Sequence, residues 1–248
     1  MDSLIQNEYP SFQVIGQEEQ SLQVLLLPGQ SIKTHLPNII YSSPKVRIKK
    51  VKTSLLNSVF NVLGDSPVQD FVAHNKEGGC EYLGLCKEFG GKILCLNPEV
   101  TGKLVIRSNA VLAYSGVSTE EFKPKMIMRR YKWLKVKSDG LLFIQTSGNL
   151  IEKVLGSDEE IEVNGNTLVG FSASAKIQAA RLRNNVLSKF IHDWNMVRLK
   201  GPGRVYIEGT NWGKLQRVSQ LRKGELTYMV TFFLLMLLMF VFEKLLLI

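Results

Sequence analysis

The stretch Glu160 to Gln178, EIEVNGNTLVGFSASAKIQ, decides the fold. Ile161-Glu162-Val163 alternates apolar and charged residues, Asn164-Gly165 tolerates positive φ and suits a hairpin turn, and Leu168 to Phe171 resumes as a second apolar strand. The same grammar runs outward through most of the chain. Ser21 to Leu27 leads into Pro28-Gly29, and Ile39-Ile40-Tyr41 precedes Ser42-Ser43-Pro44. Lys45 to Lys49 alternates cations with Val46 and Ile48, which predicts one apolar and one charged face. Lys92 to Leu96, Lys103 to Ile106, Val111 to Tyr114, Leu141 to Gln145 and Arg204 to Ile207 read as further strands. Short strands and turns at a spacing of roughly ten residues mean an all-β sandwich or barrel.

Three stretches share one rhythm: Leu25 to Ser42, Gly102 to Ser115 and Gly156 to Ser172. Each has a turn, a gap and an apolar strand ending in a small polar residue, which favours stacked β-turn-β units over one continuous sheet. Helix is expected in few places. Thr53 to Leu63 sets Leu55, Leu56, Val59, Phe60 and Leu63 at helical spacing, with Gly64 as a stop. Ala179 to Phe190 suits either a helix or a loop insertion.

The C-terminal end has a different character. Met229 to Phe242, MVTFFLLMLLMFVF, is fourteen residues with no charge and Thr231 as the only polar side chain. Fourteen helical residues reach roughly 21 Å; continuing through Glu243, Lys244 and Leu245 to Ile248 brings the segment to the ~30 Å of a bilayer core. The run has no polar face, so it does not read as an amphipathic helix. Tyr228 stands where an interfacial aromatic is expected, and Arg222-Lys223 keep that side with the domain. Glu243 and Lys244 are an ionisable pair near the helix end, suited to snorkelling, mutual pairing or a protein partner.

The composition restricts the partners. Thirty-one Lys and Arg against 22 Asp and Glu give +9, which points to an anionic neighbour such as lipid headgroups or nucleic acid. Cys80, Cys86 and Cys95 are odd in number and without CxxC spacing, arguing against a zinc site or a disulfide framework. Residues 1–20 carry Asp2, Glu8, Glu18 and Glu19 and no Lys or Arg, unlike a secretory signal or an arginine-rich transit peptide.

Five pieces in register carry a resemblance to a known family: Ser21 to Thr34, Gly102 to Ser118, Leu141 to Leu155, Glu160 to Gln178 and Gly201 to Gly209. Over residues 12–210 the chain resembles the "altered inheritance of mitochondria" family, its twenty-fourth member group. The resemblance implies a double-stranded β-helix domain of the tryptophan RNA-binding attenuation protein superfamily, often trimeric. It also implies association with the mitochondrial inner membrane and with the order of cristae junctions and respiratory complexes, without described catalytic residues. The chain departs from the family in its basic insert around Lys123 to Lys137, in Asn164 where Asp is usual, and in its apolar tail.

Candidate sites are few. Cupin-type metal chemistry needs clustered histidines with a carboxylate, whereas His35, His74 and His192 stand more than thirty residues apart. No metal ligand, catalytic residue or cofactor is assigned. No GxSxG is present, and Ser108 and Ser172 read as turn residues. Gly201-Pro202-Gly203 lacks the Lys-Ser of a phosphate loop and precedes a strand, so it reads as a turn. Lys123, Lys125, Arg129, Arg130, Lys132, Lys135 and Lys137 form a basic run with no acid from Phe122 to Ser138. Interleaved Met126, Ile127, Met128, Tyr131, Trp133 and Leu134 make it a lipid- or anion-contact candidate, against the plain alternative of a solvated strand face over a core. A second basic group is Arg181, Arg183, Lys189, Arg198 and Lys200. Tyr131, Trp133 and Trp194 are the aromatics on which RNA could stack, though they suit a core better.

The expected architecture is therefore an all-β domain, double-stranded β-helix or sandwich with internal repeats, plus one C-terminal transmembrane helix. Its division is a tail over 1–11, a β-domain over 12–212, a basic linker over 213–226 and an anchor over 227–248. The expected function is a non-catalytic, membrane-anchored scaffold for mitochondrial inner-membrane and cristae organisation and respiratory complex assembly. Its partners would be anionic lipid, a membrane protein complex and further copies of itself, a trimer being one arrangement. Alternatives are an RNA-binding module at a membrane surface and a metal-dependent cupin-like enzyme. A tail anchor suits the mitochondrial outer membrane or the endoplasmic reticulum equally well.

Overall fold

A computed structural model describes residues 9–51, 70–76, 79–87, 89–122, 131–137, 140–180, 196–210, 232–233 and 235–236. Contacts divide the chain into two units, Met1–Thr210 and Asn211–Ile248.

The first unit is all-β and contains one strand pattern three times. After β1 (Ser11–Ile15), the first repeat runs β2 (Ser21–Leu26), β3 (Ser31–His35), β4 (Ile39–Ser42), β5 (Val46–Lys50), β6 (Asp70–Asn75) and β7 (Glu81–Leu85). The second runs β8 (Ile93–Leu96), β9 (Leu104–Arg107), β10 (Val111–Ser115), β11 (Thr119–Phe122), β12 (Trp133–Val136) and β13 (Leu141–Gln145). The third runs β14 (Leu150–Leu155), β15 (Glu160–Asn164), β16 (Leu168–Ser172), β17 (Lys176–Ala179), β18 (Met196–Lys200) and β19 (Gly203–Glu208). Pairing repeats with the strands: β2·β7·β4, β8·β13·β10 and β14·β19·β16 are one motif, and β5·β6·β3, β11·β12·β9 and β17·β18·β15 the other.

Each repeat is a sandwich of these two motifs, and neighbouring repeats share sheets. β3 pairs with β10 and β9 with β16, giving antiparallel sheets of four, six, six and three strands. Three apolar cores fill the spaces between successive sheets. β9, β10 and β16, in the middle of the six-stranded sheets, are buried on both faces, which is why LVIR, VLAYS and LVGFS read as nearly continuous apolar runs. Strands with one solvated face alternate instead, as in β2 and β3.

All three repeats carry a bulge at the same point, between Ile39 and Tyr41, Val111 and Ala113, and Leu168 and Gly170. One extra residue switches the side-chain parity, so Val111 and Tyr114 enter the second core while Leu112 and Ala113 enter the first. Gly170 is required by this close packing: a Cβ there would stand 2.4 Å from Ile106 Cδ1 and 2.9 Å from the Val105 carbonyl oxygen.

The Asn164-Gly165 hairpin is corrected. β15 pairs with β18 and β16 with β9 and β19, so the turn carries the chain from one sheet to another. Neither residue has positive φ. The Asn164 side-chain oxygen accepts the Asn166 N–H at 2.9 Å and its carbonyl accepts the Thr167 N–H at 2.9 Å, so side-chain bonding closes the turn. The alternation in Lys45 to Lys49 is also weaker than expected, since Ile48 is 38% exposed beside buried Val46.

The helix expected over Thr53 to Leu63 lies outside the described residues, as does the stretch from Arg181 to Phe190. In the second unit, Phe232, Phe233, Leu235 and Met236 are helical and 58–72% exposed. Among the described residues no helix is long and apolar enough to cross a membrane. The rest of the expected anchor, with Arg222, Lys223, Tyr228, Glu243 and Lys244, lies outside them.

Candidate functional site

Leu85, Ile144 and Ile207 are equivalent positions at the ends of β7, β13 and β19, because they face Ile39, Val111 and Leu168. The next residues are Cys86, Gln145 and Glu208, and they begin a polar seam where the repeats meet. Gln145 is 2% exposed; its amide donates to the Gln20 carbonyl at 2.6 Å and its side-chain oxygen accepts the Lys87 N–H at 2.9 Å. Glu208 acts one repeat further on: it accepts Arg107 Nη2 at 2.6 Å and the Ser147 N–H at 3.1 Å. The Arg107 and Glu208 side chains are 2% and 1% exposed. Arg107 Nη1 donates to the Asn166 carbonyl at 3.0 Å, and the guanidinium lies 5.0 Å from the Tyr131 ring centroid.

Lys87 completes the cluster. The residue is half-buried, and its ammonium donates to the Asn109 and Gln145 carbonyls. Desolvation, reinforced by the Arg107 charge and opposed by Glu208, lowers its pKa to about 7. Arg107 Nε, Asn109 Oδ1 and the Tyr206 hydroxyl are buried without a partner among the described residues. The Tyr206 phenol is pushed up to about 12, first by burial and then by the Glu152 charge. Arg107, Glu208, Gln145 and Lys87 bond to one another or to backbone groups from different repeats, an arrangement suited to fixing how repeats join. A buried pair of this kind gives weak net stability and resists loss of one partner, because the remaining charge is stranded.

Sequence reasoning passed over Arg107, Glu208 and Lys87. The signal for Arg107 and Glu208 is a charge at the end of an otherwise apolar strand, LVIR and VYIE, where both faces are covered.

The predicted basic run is dispersed where it is described. Lys132 is exposed, Lys135 is half-buried, and Lys137 is ion-paired with Glu120 across β11·β12. Lys123, Lys125, Arg129 and Arg130 lie outside the described residues. Trp133 is fully buried and packs 6.0 Å from Phe171, so it offers no stacking face, and Trp194 lies outside the described residues. Lys135 lines a groove of about 440 Å³ with Thr101, Lys103, Ser172 and Ser174. The Gly201-Pro202-Gly203 turn stands beside it: the Ser174 hydroxyl donates to the Pro202 carbonyl at 2.9 Å, and the Ser172 hydroxyl accepts the Arg204 N–H at 2.9 Å. A Cβ on Gly201 would stand 2.1 Å from the Gly156 carbonyl oxygen, which explains the glycine by close approach. The two ammonium side chains beside this groove, Lys103 and Lys135, suit a small anion.

The second basic group is neutralised where described. Arg198 pairs with Glu162 at 2.6 Å, and Lys200 lies 3.7 Å from Glu160 and 3.8 Å from Asp158. His35 stands opposite Asp70 and His74 opposite Ser31 within the β3·β6 ladder, and His192 lies outside the described residues. Among the described residues no three His, Cys, Asp or Glu side chains gather as metal ligands. Cys80, Cys86 and Cys95 are free thiols, and burial raises Cys95 to about 11.

Comparison with known proteins bears on this architecture. The crystal structure of protein SPYM3_0169 from Streptococcus pyogenes superimposes with a TM-score of 0.68 over 86% of this chain and 99% of that one, at 15% identity. That likeness is one of fold. Comparison with curated proteins gave no match. The model of the family described as mitochondrial biogenesis AIM24 matches residues 12–210, the span of the three repeats. The chain belongs to that mitochondrial biogenesis family.

Proposed function

We propose that the protein is a non-catalytic scaffold anchored by its last segment in a mitochondrial membrane, the inner one, where it supports cristae organisation and respiratory complex assembly. The observation that carries the anchor is the set Phe232, Phe233, Leu235 and Met236, helical and more than half exposed within a run that has no charge. Large apolar side chains displayed in this way need an apolar surrounding. Family membership supports the mitochondrial setting. The scaffold reading draws on the seam: Arg107, Glu208, Gln145 and Lys87 are engaged in joining repeats. Several copies at one membrane would add their anchors and their basic segments by avidity, each cation near acidic lipid contributing about 1 kcal/mol.

Deleting Thr227 to Ile248 tests the anchor. The full-length protein should remain in the membrane pellet after carbonate extraction, and the shortened protein should move to the supernatant while keeping its β-sheet circular dichroism. A shortened protein that stays in the pellet in folded form counts against this reading.

A further inference from the structure

The three repeats are joined twice, by joints built alike. β3 meets β10 with Thr34 opposite Ala113 and Lys33 opposite Tyr114; β9 meets β16 with Ile106 opposite Gly170 and Val105 opposite Phe171. In both joints the receiving strand has just passed its bulge, and the bulged residues Leu112 and Val169 are fully buried. Leu112 enters the core of the first repeat, beside Phe143; Val169 enters the core of the second, beside Tyr206.

The first repeat presents the same parts uncovered. β4 is bulged at the equivalent point, yet Ile40, the counterpart of Leu112 and Val169, is 54% exposed. The aromatic is also there, supplied from β4 instead of its neighbour: Tyr41 lies over Gly84, where a Cβ would stand 2.3 Å from its ring, and is 38% exposed. Tyr82 continues the face, its ring 6.0 Å from that of Tyr41. At the other end, β15 is bonded to β18 and, among the described residues, to no strand on its second edge, whereas its counterparts β3 and β9 carry β10 and β16 there. An unpaired edge beside exposed apolar side chains is a template for another strand. Within one chain the two edges belong to the first and last sheets, and both six-stranded sheets lie between them.

We propose that β4 and β15 are the two halves of a third joint of the same kind, completed between copies of this chain. β15 of one copy adds antiparallel to β4 of the next, uniting the three-stranded and four-stranded sheets. The register follows from the internal joints. Val163 faces the second residue of β18 as Thr34 and Ile106 face the second residues of β6 and β12. Val163 therefore stands opposite Tyr41, and Glu162 opposite Ser42. The contact is head to tail, using different surfaces on the two copies. This deepens the multi-copy scaffold reading and rests on it only for the need of several copies, so the test uses purified protein without membrane or mitochondrial partners.

Two differently tagged full-length chains in detergent, with Cys80, Cys86 and Cys95 changed to Ser, each receive one new cysteine, Ser42→Cys in one and Glu162→Cys in the other. Mixed and mildly oxidised, they should give the mixed-tag disulfide dimer in excess over either same-tag dimer, because opposed residues in an antiparallel ladder lie within disulfide reach. Absence of the mixed dimer overturns the proposal. Since the serine changes reach the seam at Cys86, a second variant leaves the thiols native: Ile40→Arg, at a side chain exposed in the single chain. The native chain should sediment as a multimer, and Ile40→Arg as a single copy that keeps its β-sheet circular dichroism. A native single copy, or a multimer that Ile40→Arg leaves intact, overturns it equally.

Discussion

Replacing Glu208 by Ala removes a carboxylate that is 1% exposed and strands three groups at once. Arg107, 2% exposed, loses the partner at 2.6 Å and keeps only the Asn166 carbonyl and the Tyr131 ring; the Ser147 N–H loses its acceptor; and Lys87 loses the one charge that raises its pKa. Breaking a buried pair from one side costs about 3–5 kcal/mol. For a domain of this size each kcal/mol moves the thermal midpoint by about 2–4 °C, so the expected fall is roughly 6–20 °C. Differential scanning calorimetry of the full-length protein reads it directly, with Glu152→Ala as the control. That change deletes the partner of Arg204 in a solvent-exposed pair and should shift the midpoint far less. Removing both buried charges, as Arg107→Met with Glu208→Leu, should recover much of the loss, because neither charge is then stranded. A fall in the Glu208→Ala protein no larger than the control's would refute the reasoning, since the seam would then admit enough water to solvate Arg107.

Three further expectations follow from the same geometry. Lys87 titrates near 7 in the folded chain and near ~10.4 when unfolded. Between those values the unfolded chain binds more protons, so this residue's contribution rises with pH and its cost is fully present below about 7. Lys87→Met should therefore stabilise the fold more at pH 6.5 than at pH 10 relative to the native protein, and parallel curves of midpoint against pH would contradict the shift. Tyr206→Phe removes a buried hydroxyl without a partner among the described residues, so stability should be unchanged or should rise by up to ~1–2 kcal/mol in urea unfolding; a clear loss would reveal a bonded hydroxyl. Gly170→Ala drives a methyl into Ile106 and the Val105 carbonyl and should cost about 1–3 kcal/mol, read as a lower urea midpoint, whereas Gly156→Ala, where the space is open, should not.

The fold was most legible where burial leaves a simple trace. Leu141 to Gln145 and Leu168 to Phe171 were found as strands because their runs are apolar and end in polar residues. The threefold rhythm was visible because each repeat places its turn and its bulged strand in the same order. Nearly half of the strands are not legible in this way, β3 and β12 among them: Ser31–His35 shows only Ile32 as a large apolar side chain, and Trp133–Val136 sits inside a cationic run that hides its buried Trp133 and Val136. The Asn164-Gly165 reading failed on topology, since a turn-forming pair does not say whether the strands it links share a sheet. The seam was illegible for a related reason. Glu208 and Arg107 stand 101 positions apart, and only sheet sharing between repeats brings them to 2.6 Å.

The central claim, a membrane-anchored scaffold in mitochondria, is tested most directly by releasing the tagged full-length protein from mitochondrial membranes in mild detergent. The released protein is sized on a native gel and everything that migrates with it is identified by mass spectrometry. The account predicts a large assembly containing cristae-shaping or respiratory proteins, lost when Thr227 to Ile248 are deleted. A lone small oligomer carrying only RNA or a metal ion would contradict it.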